Sequence, residues 1–308
     1  MKERIVASLT TIPPRLHQLQ ESLTSILSDS GFDRVILTIP ERSLKGKEYS
    51  QEEIDELVRK VDPEKKRLFI NRIPKDFGPI TKLVGCFNVV TDPETTIVVF
   101  DDDRKLLKPV SRIFDERCQS DPRSVYSFGG WCFGSGYKMH IENMEDIEVD
   151  SIMGTTCIAM RRGLIPDMND LLNYKSEDTR LLKLDDLRIS GYLSSKGIRR
   201  VSIGYNVREY LRDISYENSD SLHGNFKFWV DNKGVIDTMV REGIFKVKSA
   251  EGTSIETIVL FSLITISFLG SGIWLTIDKG KRRYGLILLA MAGLFGTLLF
   301  LQIQHYLL

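Results

Sequence analysis

The sequence predicts an α/β protein in which helices flank a mostly parallel β-sheet, followed by a C-terminal hairpin of two transmembrane helices. Short apolar runs rich in β-branched residues alternate with helical patterns through the first 109 residues. This alternation is typical of parallel strands joined by helical crossovers. One such run ends in three consecutive aspartates, and two long apolar runs lie near the C-terminus. The aspartates indicate a ligand site at a sheet edge, and the apolar runs indicate attachment to a membrane.

The N-terminal half shows strand patterns separated by helical ones. Proline ends the first three strand patterns, and the segment 50–53, Ser-Gln-Glu-Glu, is typical of a helix start. The predicted order is a strand over 5–12, a helix over 15–27, a strand over 33–39, a helix after residue 50, a strand over 68–73, a helix ending near residue 90 and a strand over 95–100.

The second half mixes strand and helix patterns. We expect a helix over 110–118, a strand with a turn over 149–160, a helix over 181–193 and a strand over 199–203. The segment 126–137 is dense in glycine and aromatic residues, which suits either the lining of an acceptor pocket or a hairpin whose aromatic side chains belong to the core. The sequence alone leaves both interpretations open.

The charge balance excludes a general nucleic-acid-binding surface. Lys and Arg total 42 and Asp and Glu also total 42, so the formal net charge is zero. The four cysteines show no Cys-x-x-Cys spacing, and no secretory segment precedes the first strand pattern. We therefore expect reduced thiols in a cytosolic domain and no nucleic acid partner.

The strand pattern at 95–100 runs directly into Asp101, Asp102 and Asp103. Open α/β sheets bind their ligands at the carboxyl edge of the strands. Because side chains alternate along an extended segment, Asp101 and Asp103 are expected to point one way and Asp102 the other. Two carboxylates on one side suit Mg²⁺ or Mn²⁺. The alternative interpretation is a solvated acidic turn.

The two apolar runs predict transmembrane helices at about 257–277 and 284–308, within a hairpin over 251–308 that follows a globular domain over 1–250. The alternative is a pair of buried core helices. The basic segment 278–283 favours a cytosolic loop, whereas the missing signal segment favours a cytosolic N-terminal domain. We expect that domain on the cytosolic face of the membrane. A hairpin that enters only one leaflet would reconcile the two observations.

Four motifs in order resemble a small family of GT-A type glycosyltransferases found in bacteria and in large DNA viruses of algae. The resemblance covers roughly the first 225 residues and leaves out the hydrophobic tail. The motifs are Ser-Leu-Thr-Thr-Ile-Pro-Pro-Arg at 8–15, Asp-Phe-Gly-Pro-Ile-Thr-Lys-Leu at 76–83, the acidic triplet at 101–103, and Asp-Asp-Leu-Arg-Ile-Ser-Gly-Tyr-Leu at 185–193.

The resemblance implies a GT-A, Rossmann-like fold with a nucleotide-sugar-binding half over 1–109 and an acceptor-binding half over 110–250. It also implies a divalent metal, Mn²⁺ in preference to Mg²⁺, held by Asp103 with Asp101 and with His223 as a late ligand. The residues that it implies for binding the nucleotide sugar are Thr10, Thr11, Arg15, Asp76, Lys82, Asp101 and Asp102.

For the transfer step, Asp186 fits the base of inverting enzymes of this fold, and Asp185 is the competing choice. A carboxylate in that role would deprotonate the acceptor hydroxyl as it attacks the anomeric carbon. The acceptor pocket is predicted around Trp131, Tyr137, Gly154 and Thr155.

The sequence therefore predicts a membrane-anchored, metal-dependent glycosyltransferase that moves a hexosyl or deoxyhexosyl group from a UDP- or GDP-linked donor to a glycan or lipid-linked acceptor. Two alternatives stay open. A metal-dependent nucleotidyltransferase also places paired aspartates on a strand edge, and a noncatalytic membrane protein could bind a nucleotide or glycan in the same fold.

Overall fold

The computed structural model describes residues 2–134, 137–141, 146–214 and 226–245, with side chains described over 2–133, 146–214 and 232–245. The chain divides into two compact units, Met1–Phe133 with His140–Val247, and Gly134–Met139 with Lys248–Leu308. The predicted transmembrane segments at 257–277 and 284–308 lie outside the described residues. Within the described residues, no helix combines the length and the apolar character needed to cross a bilayer.

Strands and helices follow one another along the described residues. The strands are β1 (Ile5–Thr10), β2 (Arg34–Pro40), β3 (Leu68–Ile73), β4 (Thr96–Val99), β5 (Arg104–Leu106), β6 (Ser124–Ser127), β7 (Gly130–Gly134), β8 (Tyr137–Ile141), β9 (Ile147–Glu148), β10 (Ser151–Ile152), β11 (Ile158–Arg161), β12 (Arg199–Ser202) and β13 (Leu211–Asp213). The helices are α1 (Gln20–Ser28), α2 (Gln51–Val61), α3 (Thr81–Val89), α4 (Ser111–Ser120), α5 (Met168–Asn173), α6 (Asp185–Ser195) and α7 (Phe226–Arg241).

The central sheet has the strand order β3-β2-β1-β4-β11-β6-β12-β9. The prediction of parallel strands is confirmed for β3, β2, β1 and β4, and β6 and β12 also pair in parallel. The other half is mixed, because β11 runs antiparallel to both of its neighbours. Ile158 at the start of β11 lies opposite Val99 at the end of β4, so β11 begins at the edge where β4 ends. Among the described residues between β6 and β11 there is no crossover helix, and the chain enters β11 from the edge at which β4 ends, so β11 runs in the opposite direction.

Apolar cores cover both faces of the sheet. On β1, Ala7 and Leu9 belong to the core on one face, and Val6 belongs to the core on the other. Helices α1, α2 and α4 contribute to the first core, whereas α3, α5 and α6 contribute to the second. A third cluster packs Leu187 of α6 and the preceding Leu184 with Val235 and Met239 of α7. Burial on both faces explains why the strand patterns are continuous apolar runs.

Several local predictions are confirmed. Strand β3 has the predicted bounds, and the Ser50 side chain accepts a hydrogen bond of 3.2 Å from the Glu53 N–H at the start of α2. The segment 126–137 contains β7 and the start of β8, as the hairpin interpretation expects. All four cysteines are free and buried.

Two helices differ from prediction at their beginnings. The segment predicted as a helix over 15–27 forms a 3₁₀ turn, Pro13–Gln18, followed by α1. The two prolines at the start of this turn have no N–H group, so only tight local hydrogen bonds form there. The segment predicted as a helix over 181–193 likewise begins with a 3₁₀ turn, Thr179–Leu182, in which the Asp178 side chain accepts a hydrogen bond from the Arg180 N–H. The α6 helix starts only at Asp185.

Helix α3 lies unusually close to strand β2 at Gly85. A Cβ atom on Gly85 would lie 2.1 Å from the Oγ1 atom of Thr38 and 2.6 Å from its Cβ atom. The Asn71 side chain of β3 donates a hydrogen bond of 2.8 Å to the Gly85 carbonyl. This contact sets the distance between α3 and the sheet.

We therefore expect Gly85→Ala to destabilise the fold by about 1–3 kcal/mol, because the added methyl group has no space beside Thr38. Chemical denaturation of the full chain measures this change. Asn88→Ala, at an exposed position of the same helix, is the matched control and is expected to be neutral or slightly stabilising. A Gly85→Ala protein as stable as the control would show that the helix can move away from the sheet without cost.

Candidate active site

Asp102 lies buried at the carboxyl edge of the sheet, between the ends of β1 and β4. Its carboxylate accepts hydrogen bonds of 2.7 Å from Thr11 Oγ1 and 2.6 Å from the Arg15 guanidinium. Burial raises the pKa of Asp102 to about 6, and the charge of Arg15 acts against this rise. Asp102 thus fixes the turn that carries Thr11 and Arg15 against the acidic segment.

Asp101 and Asp103 are more open than Asp102. Their side chains are 24% and 36% exposed, in line with the predicted alternation. Burial raises the pKa of Asp103, and the negative charge of Asp101 adds to this rise. Arg15 also lies 3.4 Å from the Asp103 carboxylate.

Asp101 and Asp103 fit a divalent cation in their chemistry. Carboxylate oxygens are the ligands that Mn²⁺ and Mg²⁺ prefer, and a cation would relieve the repulsion that raises the pKa of Asp103. Among the described residues, no group of three or more acidic, histidine or cysteine side chains is arranged to hold an ion. His223, predicted as a further ligand, lies outside the described residues.

Lys82 is the centre of the charge arrangement. Its side chain is 3% exposed, and its ammonium group forms an ion pair with Asp101 and lies 3.0 Å from the Asp185 carboxylate. Burial alone would lower the pKa of Lys82, but the charges of Asp101, Asp185 and Asp186 raise it well above its ordinary value. The ammonium that was predicted to offset pyrophosphate charge is therefore enclosed by carboxylates, and its role toward a phosphate stays a prediction.

Asp186 lies in the first turn of α6, next to the turn Gly154–Thr156. A Cβ atom on Gly154 would lie 2.4 Å from Asp186 Oδ1, and the Gly154 N–H donates to this carboxylate. Burial raises the pKa of Asp186 to about 8, and the charge of Asp185 adds to this rise. The structure thus brings Gly154, predicted for the acceptor pocket, into contact with the predicted base.

The side chains of Asp76 and Thr10 form hydrogen bonds within the protein at the carboxyl edge of the sheet. The Asp76 carboxylate accepts hydrogen bonds from the N–H groups of Gly78 and Leu44, both at 2.8 Å, and from Thr81 Oγ1 at 2.9 Å. Thr10 donates from its hydroxyl to the Thr38 carbonyl at 2.8 Å. Asp76 therefore holds the turn before α3, and its predicted contact with the nucleoside stays a prediction.

The remaining acceptor-pocket residues are only partly brought together. Trp131 on β7 pairs with Ser151 on β10, a few residues before the turn that contains Gly154 and Thr155. Trp131 is half-buried and packs against the cluster around α6 and α7. The side chain of Tyr137 lies outside the described residues.

Tyr49 and Cys157 support the site, and the sequence reasoning did not include them. The Tyr49 hydroxyl donates to the Thr11 carbonyl at 2.8 Å, although Tyr49 follows a polar loop with no motif. Cys157 ends the Gly154 turn with φ 66° and ψ 148°, a conformation that costs a residue with a side chain about 1–3 kcal/mol. Neither feature has a local sequence signal, because each depends on contacts with distant residues.

Comparison with known proteins bears on the fold. No protein-family model matches the chain, and no curated protein matches its sequence. Among solved structures, the chain is similar to a crystal structure of GalNAc-T7 with UDP, GalNAc and Mn²⁺, at a TM-score of 0.52 and 10% sequence identity. The match covers 70% of this chain but 44% of GalNAc-T7, so the chain spans less than half the length of that protein. The likeness shows a GT-A type fold.

We expect Asp186→Asn to stabilise the fold more at about pH 9 than at about pH 5. The pKa of Asp186 is about 8 in the folded chain and 3.8 ordinarily. The unfolded chain therefore loses this proton at a lower pH than the folded chain, and the free energy of unfolding falls as the pH rises between these two values. Asparagine has no proton to lose. The measurement is the Tm of the full chain at the two pH values.

Asp237→Asn is the control for this experiment, because Asp237 is exposed on α7 and pairs with Lys233. Its effect on Tm should be small at both pH values. An Asp186→Asn effect that is the same at both would contradict the elevated pKa.

Proposed function

We propose that the protein is a metal-dependent glycosyltransferase that moves a sugar from a nucleotide-sugar donor to a hydroxyl acceptor. One observation carries the proposal: Asp101 from the end of β4, and Asp185 and Asp186 from the start of α6, surround Lys82 at the carboxyl edge of the sheet. Ligands of open α/β sheets bind at this edge. The similar fold of GalNAc-T7, whose structure contains UDP and Mn²⁺, supports a donor of this chemical class.

Each part of the site has a distinct task in this proposal. Arg15 and Thr11 hold Asp102, which fixes the first turn for contact with the nucleotide. Asp101 and Asp103 would hold a divalent cation, Mn²⁺ in preference to Mg²⁺, which offsets the charge of the donor's two phosphates when it is bound. Asp186 accepts the proton of the acceptor hydroxyl, and a base with a pKa near the working pH is suited to this task. Direct attack assisted by Asp186 inverts the anomeric configuration.

Attachment to a membrane through residues 251–308, with the catalytic domain on the cytosolic face, is part of the proposal. It is supported by the two long apolar runs at about 257–277 and 284–308. In this arrangement, a lipid-linked acceptor would be close to the enzyme.

We expect the full chain to bind UDP or GDP only when Mn²⁺ is present, and Asp103→Ala to weaken this binding about tenfold or more. Removing one of two carboxylates lowers the affinity for the cation that the diphosphate shares. Isothermal titration with each diphosphate, with and without Mn²⁺, measures the effect and identifies the nucleotide of the donor.

Asp213→Ala is the control, because Asp213 is an exposed carboxylate that pairs with the neighbouring Arg104. Binding of neither diphosphate would overturn the proposal, and turnover of nucleoside triphosphates instead would favour a nucleotidyltransferase.

We expect Asp186→Asn to lower kcat about 10²–10⁴-fold while leaving donor binding within about twofold, because the amide cannot accept the proton but keeps the shape of the side chain. The readout is release of nucleoside diphosphate from the donor that titration identifies, with water as the acceptor. Asp185→Asn tests the competing base, and it should also disturb Lys82. Full activity of Asp186→Asn, with donor binding that needs Asp103, would favour Asp185 as the base. Donor binding that needs Asp103, with no release of nucleoside diphosphate by the wild type, would favour a noncatalytic binding protein.

A further inference from the structure

A pocket of about 470 Å³ opens between the segment 175–180 and helix α7. It lies apart from the acidic residues of the candidate active site and from the predicted acceptor residues around Gly154. Its volume falls within the range of ligand pockets in proteins, about 300–1,000 Å³. Its lining residues are Lys175, Glu177, Asp178, Thr179, Arg180, Val235, Thr238, Met239 and Glu242.

Charged side chains form the rim of the pocket in fixed pairs. Arg180 donates two hydrogen bonds to Asp178, at 2.8 and 2.6 Å, and Lys175 pairs with Glu242 across the pocket. Glu177 is exposed and has no ion pair among the described residues. The rim thus offers both hydrogen-bond donors and acceptors, and it has one carboxylate in excess of its cations.

The floor of the pocket is apolar. Val235 and Met239 are both 1% exposed and lie one turn apart on α7. Because both side chains are almost fully buried, the surface open to a ligand is set mainly by the side chains of the rim, whose donors and acceptors suit the hydroxyl groups of a sugar. The excess carboxylate disfavours a phosphate or another anion.

The pocket is connected to the candidate active site through the chain itself. Thr179–Leu182 forms the 3₁₀ turn that precedes α6, and Arg180 is only five positions before Asp185 in the chain. An extended chain of that length spans at most about 18 Å. The same turn packs against the turn before α3, since a Cβ atom on Gly78 would lie 2.6 Å from the Leu182 carbonyl oxygen.

Arg180 is also held from the side of α7. A Cβ atom on Gly234 would lie 2.7 Å from a terminal nitrogen of the Arg180 guanidinium, so the absence of a side chain at that position makes room for this group. The position of Arg180 in the rim is therefore fixed by Asp178 on one side and by helix α7 on the other.

We propose that this pocket binds a neutral, hydroxyl-rich unit of the acceptor glycan, beyond the sugar that reacts. The inference rests on the proposed function. It assigns the recognition of a distal sugar to a pocket that is separate from Asp186 and from the donor.

The test is ligand-observed saturation-transfer NMR on the full chain with the methyl glycosides of glucose, galactose, mannose and N-acetylglucosamine, and with glucose 1-phosphate as the anionic probe. Spectra are recorded with and without UDP and Mn²⁺. Thr238→Trp places a large side chain on the half-buried pocket wall. Thr24→Trp, on the exposed side of α1, is the matched control.

We expect at least one neutral glycoside to give a signal that Thr238→Trp reduces by about tenfold and Thr24→Trp leaves unchanged. Glu177→Lys, a change at an exposed position that turns the excess charge of the rim from one negative to one positive, should weaken binding of the neutral glycoside and allow glucose 1-phosphate to bind. It also tests the pocket if Thr238→Trp does not fold.

The inference is overturned if no neutral glycoside binds at tens of millimolar, if folded Thr238→Trp and Thr24→Trp proteins give equal signals, or if only glucose 1-phosphate binds the wild type. Failure of the proposed function has a different signature. In that case UDP, GDP and Mn²⁺ do not bind, whether or not a glycoside binds.

Discussion

The buried ammonium group of Lys82 is the constraint on which the candidate site depends. Asp101, just after β4, and Asp185, at the start of α6, both contact it, and the Asp186 carboxyl group lies close by. A buried cation without such partners would be strongly unfavourable, and so would three neighbouring carboxylates without a cation. The buried ammonium group therefore requires the carboxylates, and the carboxylates require the ammonium group. This mutual requirement fixes the beginning of α6 against the sheet edge.

The position of Lys82 follows from packing farther along α3. The helix can approach β2 closely because Gly85 has no side chain facing Thr38, and the Ser8 hydroxyl donates a 2.6 Å hydrogen bond to the Lys82 carbonyl. Strand β1 thus holds the first turn of the helix, and β2 sets its distance from the sheet. The electrostatic arrangement at the edge is a consequence of these apolar and backbone contacts.

Much of the fold was predictable because its N-terminal half consists of local patterns that end at prolines and aspartates. The burial of Asp102 between the more open Asp101 and Asp103 agrees with the predicted alternation, although β4 ends at Val99 and Asp102 and Asp103 lie in the turn that follows it. The antiparallel insertion of β11 was not predictable, because it depends on where the chain enters the sheet and not on the strand's own residues. The enclosure of Lys82 was missed for a similar reason: its partner Asp185 lies about a hundred residues away in sequence. Tyr49 supports Thr11 through one long-range hydrogen bond that no local pattern reveals.

The turn 154–157 contains both the strained backbone of Cys157 and the contact with the proposed base, Asp186. The Gly154 N–H donates to Asp186, and Cys157 adopts a positive φ where β11 begins opposite β4. The Thr156 carbonyl between them accepts a hydrogen bond of 3.3 Å from the Phe128 N–H, and Cys157 is 1% exposed, so the turn is held on both sides. Both features belong to one short turn, so the backbone conformation of Cys157 and the position of the Gly154 backbone beside Asp186 are set together. The strain is therefore retained because the same turn must begin β11 at the sheet edge and contact the carboxylate.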